Sequence, residues 1–183
     1  MLDRGIYRWR LIGLVATVNP SSWILSHLKA LSPGRSIDVA AGSGRHAFAM
    51  ADLGFSVTAV DRNPDFASLY QESVVQFICA DLEGQQWPLA DHTYDLVLVS
   101  NYLHRPYFAE LFQLVAPGGY LVYETFGVGN EIFGKPSNPE FLLKPRELTR
   151  ALESSFEIMD ERFETVSSPS PAVRAGVFAR RIR

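Results

Sequence analysis

Ser36-Ile37-Asp38-Val39-Ala40 runs directly into Ala41-Gly42-Ser43-Gly44-Arg45-His46. The first five residues read as a buried strand, the glycines as a tight turn, and Arg45–Leu53 as a helix that Gly54 stops in the position of a C-terminal cap. Strand, glycine turn and helix in immediate succession form the opening unit of a wound α/β sheet. Glycines at such a turn let the backbone approach a ligand closely, and the helix start beyond them offers unpaired N–H groups.

Outward from this unit the same alternation continues. Ser56–Val60 is a second strand followed by Asp61. Asn63-Pro64 opens a helical stretch, and Val74–Cys79 is a third strand followed by Asp81. Tyr94–Ser100 is an almost continuous apolar run, as in a strand buried on both faces. Phe108, Leu111, Phe112 and Val115 fall at i, i+3, i+4, i+7, one face of a helix that Pro117-Gly118-Gly119 ends. Tyr120–Thr125 is a fifth strand, Pro145–Leu152 a helix, and Phe156–Arg162 with Ala175–Arg181 two closing strands. The pattern predicts a doubly wound, mostly parallel α/β sheet.

The chain has 183 residues, the length of one domain. Its 17 Lys and Arg against 20 Asp and Glu leave a net charge of −3, unlike the basic balance of a dedicated nucleic-acid binder. Cys79 is the single cysteine, so no internal disulfide forms, and no Cys/His cluster has metal-ligand spacing. Ile6–Val18 is apolar apart from Arg8, Arg10 and Thr17, but its uninterrupted core is too short to span a bilayer, and no small-x-small cleavage site follows. It reads as a short helix over the domain or its pocket, with Tyr7 and Trp9 as packing residues. The expectation is a single cytoplasmic domain over 1–183, with 1–30 an N-terminal helical cap on a core of 31–183, and no membrane partner.

Three features converge at the carboxyl ends of the first three strands, where a doubly wound sheet places its ligand crevice. They are the Asp38–Gly44 turn, Asp61, whose carboxylate can accept from both ribose hydroxyls, and Asp81-Leu82, suited to an adenine amino group and ring edge. Together they describe an adenosine-containing ligand. Gly42-x-Gly44-x-x-Ala47 with Asp61 also satisfies the dinucleotide fingerprint, which keeps an NAD-dependent oxidoreductase open. Against it, Asp38 stands four residues before Gly42, where a dinucleotide fold runs without an acid, and too little chain follows Thr125 for a substrate domain.

On these residues the sequence resembles the class I S-adenosylmethionine-dependent methyltransferases over roughly Ser36 to Arg181. The resemblance implies a seven-stranded sheet in the order 3-2-1-4-5-7-6, the last strand antiparallel, with helices on both faces. It implies that S-adenosyl-L-methionine is held by Asp38, Ala40, Gly42 and Gly44 at its methionine moiety, Asp61 at its ribose, and Asp81 and Leu82 at its adenine. Ser100 and Asn101 match the position that borders the methyl group. The Gly-Ser-Gly-Arg-His form of the turn is similar to a small bacterial branch that includes tellurite-resistance-type enzymes.

On the acceptor side stand Asn101, Tyr102, His104 and Arg105 after the fourth strand and Glu124 at the end of the fifth. His104 has the location of a general base near neutral pH, or else packs against its loop. Glu124 is a second candidate base, or else a buried partner for Arg105 or a backbone amide. Asn101-Tyr102-Leu103-His104 departs from the Asn-Pro-Pro-Tyr form of nucleobase-methylating relatives, which with the acidic charge argues against a nucleic-acid substrate. The loop 127–143 is long enough to be a lid, with Phe133 and Phe141 to close over an apolar acceptor and Lys135, Lys144 and Arg146 to meet an anionic one. The expected activity is methyl transfer to a small-molecule acceptor. The alternatives are the oxidoreductase, a non-catalytic module that keeps the pocket, and a nucleic-acid or protein methyltransferase dependent on a partner subunit.

Overall fold

The computed structural model describes residues 19–89 and 92–182. Their strands are β1 (Arg35–Val39), β2 (Ser56–Asp61), β3 (Gln76–Cys79), β4 (Tyr94–Ser100), β5 (Val115–Phe126), β6 (Phe156–Val166) and β7 (Ala172–Arg181). They form one seven-stranded sheet in the order β3-β2-β1-β4-β5-β7-β6. The first five run parallel and β7 is antiparallel to both its neighbours, as the resemblance implies.

The helices are α1 (Ser22–Leu28), α2 (Arg45–Asp52), α3 (Ala67–Tyr70), α4 (Phe108–Gln113) and α5 (Glu147–Leu152). One core lies under α1, α2 and α3, where Ile24, Leu28, Ala47, Met50 and Tyr70 meet Leu96, Leu98, Val122 and Phe178. The other lies under α4 and α5, where Leu111, Leu148 and Leu152 meet Val97, Val99, Leu121 and Tyr123. Successive β4 residues therefore serve opposite cores, and this is why its sequence is apolar without alternation.

The α4–β5 junction differs from the sequence expectation. The helix stops at Gln113 and the strand begins at Val115, before Pro117-Gly118-Gly119. Leu114 and Val115 are buried, and Val115 pairs with Tyr94 ahead of a register shift that resumes at Leu96 and Tyr120. The Pro-Gly-Gly run is thus an irregularity inside the strand. A Cβ on Gly119 would lie 2.9–3.1 Å from three backbone oxygens, so the close approach itself requires glycine.

Ser21 caps α1 by accepting from the Ile24 N–H at 3.4 Å. The apolar run assigned to the N-terminal cap, with Tyr7 and Trp9, lies outside the described residues. No described helix is long and apolar enough to cross a membrane.

Candidate functional site

The turn after β1 is built around three left-handed residues, Ala40 (φ 57°), Gly42 (φ 56°) and Gly44 (φ 86°). A Cβ on Gly44 would press within 2.7 Å of the Phe48 ring and 2.8 Å of the Tyr70 hydroxyl, so only glycine packs there. Asp61, at the end of β2, locks the turn: its Oδ2 accepts from the Gly42 N–H at 2.8 Å and its Oδ1 from the Asn63 N–H at 2.9 Å. The Tyr70 hydroxyl donates to the Gly42 carbonyl from below.

Beside this turn opens a cavity of about 150 Å³ lined by Ala40, Asp61, Arg62, Ala80, Asp81, Leu82, Glu83 and Tyr102. The structure thus brings together Ala40, Asp61, Asp81 and Leu82, and adds Tyr102, expected on the acceptor side. Asp81 forms a turn of its own, its Oδ1 accepting from the Glu83 N–H at 2.9 Å.

Two buried polar atoms in this region have no partner among the described residues: the Tyr102 hydroxyl and Oδ2 of Asp38. Asp38 is 1% exposed, and burial raises its carboxyl to about 7 against the pull of the Ala47 backbone and Arg45. Burial and the nearby Glu83 and Asp81 likewise push the Tyr102 phenol up, so it stays a neutral donor. A buried acid with an unpartnered oxygen in β1 and an unpartnered hydroxyl on the cavity wall fit a ligand with an amino cation and a polar ring.

A second group sits on the same sheet edge, toward β5. Glu124, 1% exposed, receives Arg162 Nη1 on Oε2 at 2.7 Å, Arg174 Nη2 on Oε1 at 2.8 Å, and the Ser21 hydroxyl at 3.0 Å. The sequence expectation offered Arg105 as its ion-pair partner. The structure gives that place to Arg162 and Arg174, because the β6–β7 hairpin delivers both beside β5. Glu124 and Arg162 each pair in register with Gly176, and a residue without a side chain lets the two meet over it.

Arg105 is spent elsewhere. It binds Glu147 through Nε at 2.5 Å and Nη2 at 3.1 Å, and donates to the carbonyls of Glu140 and Leu142. It ties the loop after β4 to the chain around the start of α5. His104 makes its ring contact with Tyr107, which leans on Trp87 and donates to the Gly84 carbonyl.

His46 and Arg45 open α2. Burial, with Arg45 and Arg174 nearby, drives His46 down to about 3, and this neutral ring accepts the Ser21 N–H on Nε2 at 3.1 Å. Arg45 donates through Nη2 to the Ser100 hydroxyl at 2.9 Å. Asn101 is exposed at φ 57°, its N–H given to the Glu124 carbonyl at 2.9 Å. Lys135 is exposed on the loop 127–143, which is pinned beneath by Asn130: its amide donates to Pro136 and accepts from Val173. Ser21, His46, Arg162 and Arg174 were not singled out from the sequence. Only the adjacency of His46 to the glycine turn signalled any of them.

The sheet order, the closing antiparallel strand, and a glycine turn with acids at the ends of β1, β2 and β3 match the class I methyltransferase fold. Residues 37–119 match the family model described as a methyltransferase domain. Among solved structures it is similar to TehB from Haemophilus influenzae at 17% identity and a TM-score of 0.70, covering 88% of this chain and 62% of TehB. It is similar to an S-adenosylmethionine-dependent methyltransferase from Methanosarcina mazei at 17% identity and a TM-score of 0.65, covering 90% of this chain and 99% of the other. A third is the glycopeptide N-methyltransferase MtfA in complex with S-adenosylmethionine, at 16% identity and a TM-score of 0.63, covering 93% of this chain and 98% of MtfA. No curated protein sequence matches the chain.

Proposed function

We propose that the protein transfers a methyl group from S-adenosylmethionine to a small-molecule acceptor by in-line displacement. The observation that carries this reading is Asp38, a fully buried acid in β1, just before the glycine turn, with one oxygen unpartnered. Asp38, Ala40, Gly42 and Gly44 would hold the methionine moiety and Asp61 the ribose, while Asp81, Leu82 and Tyr102 would hold the adenine. Ser100 borders the transfer position, with Asn101 next to it on the acceptor side. The bound cofactor supplies a methyl already activated on a sulfonium.

What remains for the chain is to position and to exclude water. Asp61 serves both ends of that task, since the oxygens that fasten the Gly42 and Asn63 amides keep lone pairs free for hydroxyls. Asp61→Ala is expected to weaken S-adenosylhomocysteine binding by about 1.5–3 kcal/mol, the range for hydrogen bonds to a charged group. Unchanged affinity in a calorimetric titration of that variant removes the ribose assignment.

A further inference from the structure

Arg45 is placed at the first turn of α2, its guanidinium only partly open to solvent and hydrogen-bonded to the Ser100 hydroxyl at 2.9 Å. Among the described residues it has no carboxylate within ion-pair distance, in contrast to Arg105, Arg162 and Arg174, each of which does. The neighbouring charges that act on it are Arg174, Asp38 and Glu124. Glu124 is already shared by two other arginines, and Asp38 is taken up by the cofactor in the reading above. A half-buried guanidinium without a counter-ion carries a desolvation cost that a ligand anion would offset.

The two candidate bases described beside Arg45, Glu124 and His46, are both engaged. Glu124 has both oxygens engaged by guanidinium groups and the Ser21 hydroxyl. His46 is neutral, and its Nε2 is occupied by the Ser21 N–H. A neutral hydroxyl or ammonium acceptor must lose a proton as it is methylated, and neither Glu124 nor His46 is free to take it, whereas an acceptor that is already an anion needs no base.

We propose that the acceptor is an anion at its reacting atom, a carboxylate or a thiolate, held by the guanidinium of Arg45 beside Ser100. This rests on the methyltransferase reading above. The anion forms one bond from its own lone pair to the methyl carbon as the carbon–sulfur bond breaks, and that bond's electron pair stays on sulfur. A neutral methyl ester or thioether results, with no proton released. The Arg45 charge then loses its partner, which favours product departure.

The test uses the protein labelled with ¹⁵N-arginine and saturated with S-adenosylhomocysteine. Failure to form that complex would defeat the parent reading and is seen before any anion is added. The complex is then titrated with acetate, with hydrosulfide as the simplest thiolate, and with acetamide as the neutral counterpart of acetate. The expected result is a saturable shift of the Arg45 Nε resonance, identified by its loss in Arg45→Lys, with one or both anions and none with acetamide. Saturation by acetate alone selects a carboxylate, by hydrosulfide alone a thiolate. Arg45→Gln is expected to weaken anion binding at least about 10-fold while S-adenosylhomocysteine affinity changes less than about 3-fold. The proposal is overturned if neither anion shifts Arg45, or if acetamide shifts it equally. A parallel loss of S-adenosylhomocysteine affinity in Arg45→Gln also overturns it, since Arg45 would then serve the cofactor's own carboxylate.

Discussion

Burial holds the Asp38 carboxyl at about 7, against 3.8 for an exposed aspartate, because ionising it strands a charge that the Ala47 backbone and Arg45 only partly compensate. The folded state therefore binds the proton more tightly than the unfolded chain. Stability must fall as pH rises from 3.8 to about 7 and then level off. Asp38→Asn removes this loss, so the ligand-free variant is expected to melt higher than the parent at pH 8, while at pH 4 the two converge. The same variant is expected to lose most of its S-adenosylhomocysteine affinity. Parent affinity should weaken as pH drops below about 7, because an ammonium prefers the ionised acid. Melting curves that stay parallel at both pH values would contradict the burial account. Ala40 shows a related cost, since a residue with a β-carbon sits at φ 57° on the cavity wall, a conformation that disfavours L side chains by roughly 1–2 kcal/mol.

At the scale of elements, the β6–β7 hairpin supplies half of the charged group beside the crevice. Gly176 lies in register between Glu124 and Arg162, and a Cβ there would come within 2.5 Å of the Tyr123 carbonyl and 3.3 Å of Trp23. Gly176→Ala is expected to destabilise the fold by about 1–3 kcal/mol, read from the denaturation midpoint. Glu124→Gln leaves Arg162 and Arg174, 11% and 12% exposed, without their shared carboxylate. A loss of about 3–5 kcal/mol in the same measurement marks Glu124 as a structural counter-ion. An unchanged midpoint with lost turnover would restore it as a base. Neighbouring elements were legible from the sequence because their signals are local: the glycine turn, one acid after each of three strands, the apolar run of β4. The β6–β7 contribution was not, because Arg162 and Arg174 reach Glu124 only through strand register, and no spacing within the chain encodes a partner across three strands. The Pro-Gly-Gly run misled for the converse reason. A local stop signal lost to the burial of Leu114 and Val115, which drew the strand back past it.

For the molecule as a whole, the order β3-β2-β1-β4-β5-β7-β6 places the switch point between β1 and β4, and the two groups of site residues lie on either side of it. The cavity with Asp61, Asp81 and Tyr102 falls toward β2 and β3, and Arg45, Ser100 and Glu124 toward β4 and β5. Ser21, just before α1, joins the second group through His46 and Glu124. A dinucleotide reading remains distinguishable in one experiment, since it requires a second nucleotide where the Glu124–arginine group now stands. The decisive measurement is a calorimetric titration with S-adenosylhomocysteine, run beside NADH. Micromolar binding of the first and none of the second is the result this account predicts. Binding of NADH alone, or of neither, would contradict it.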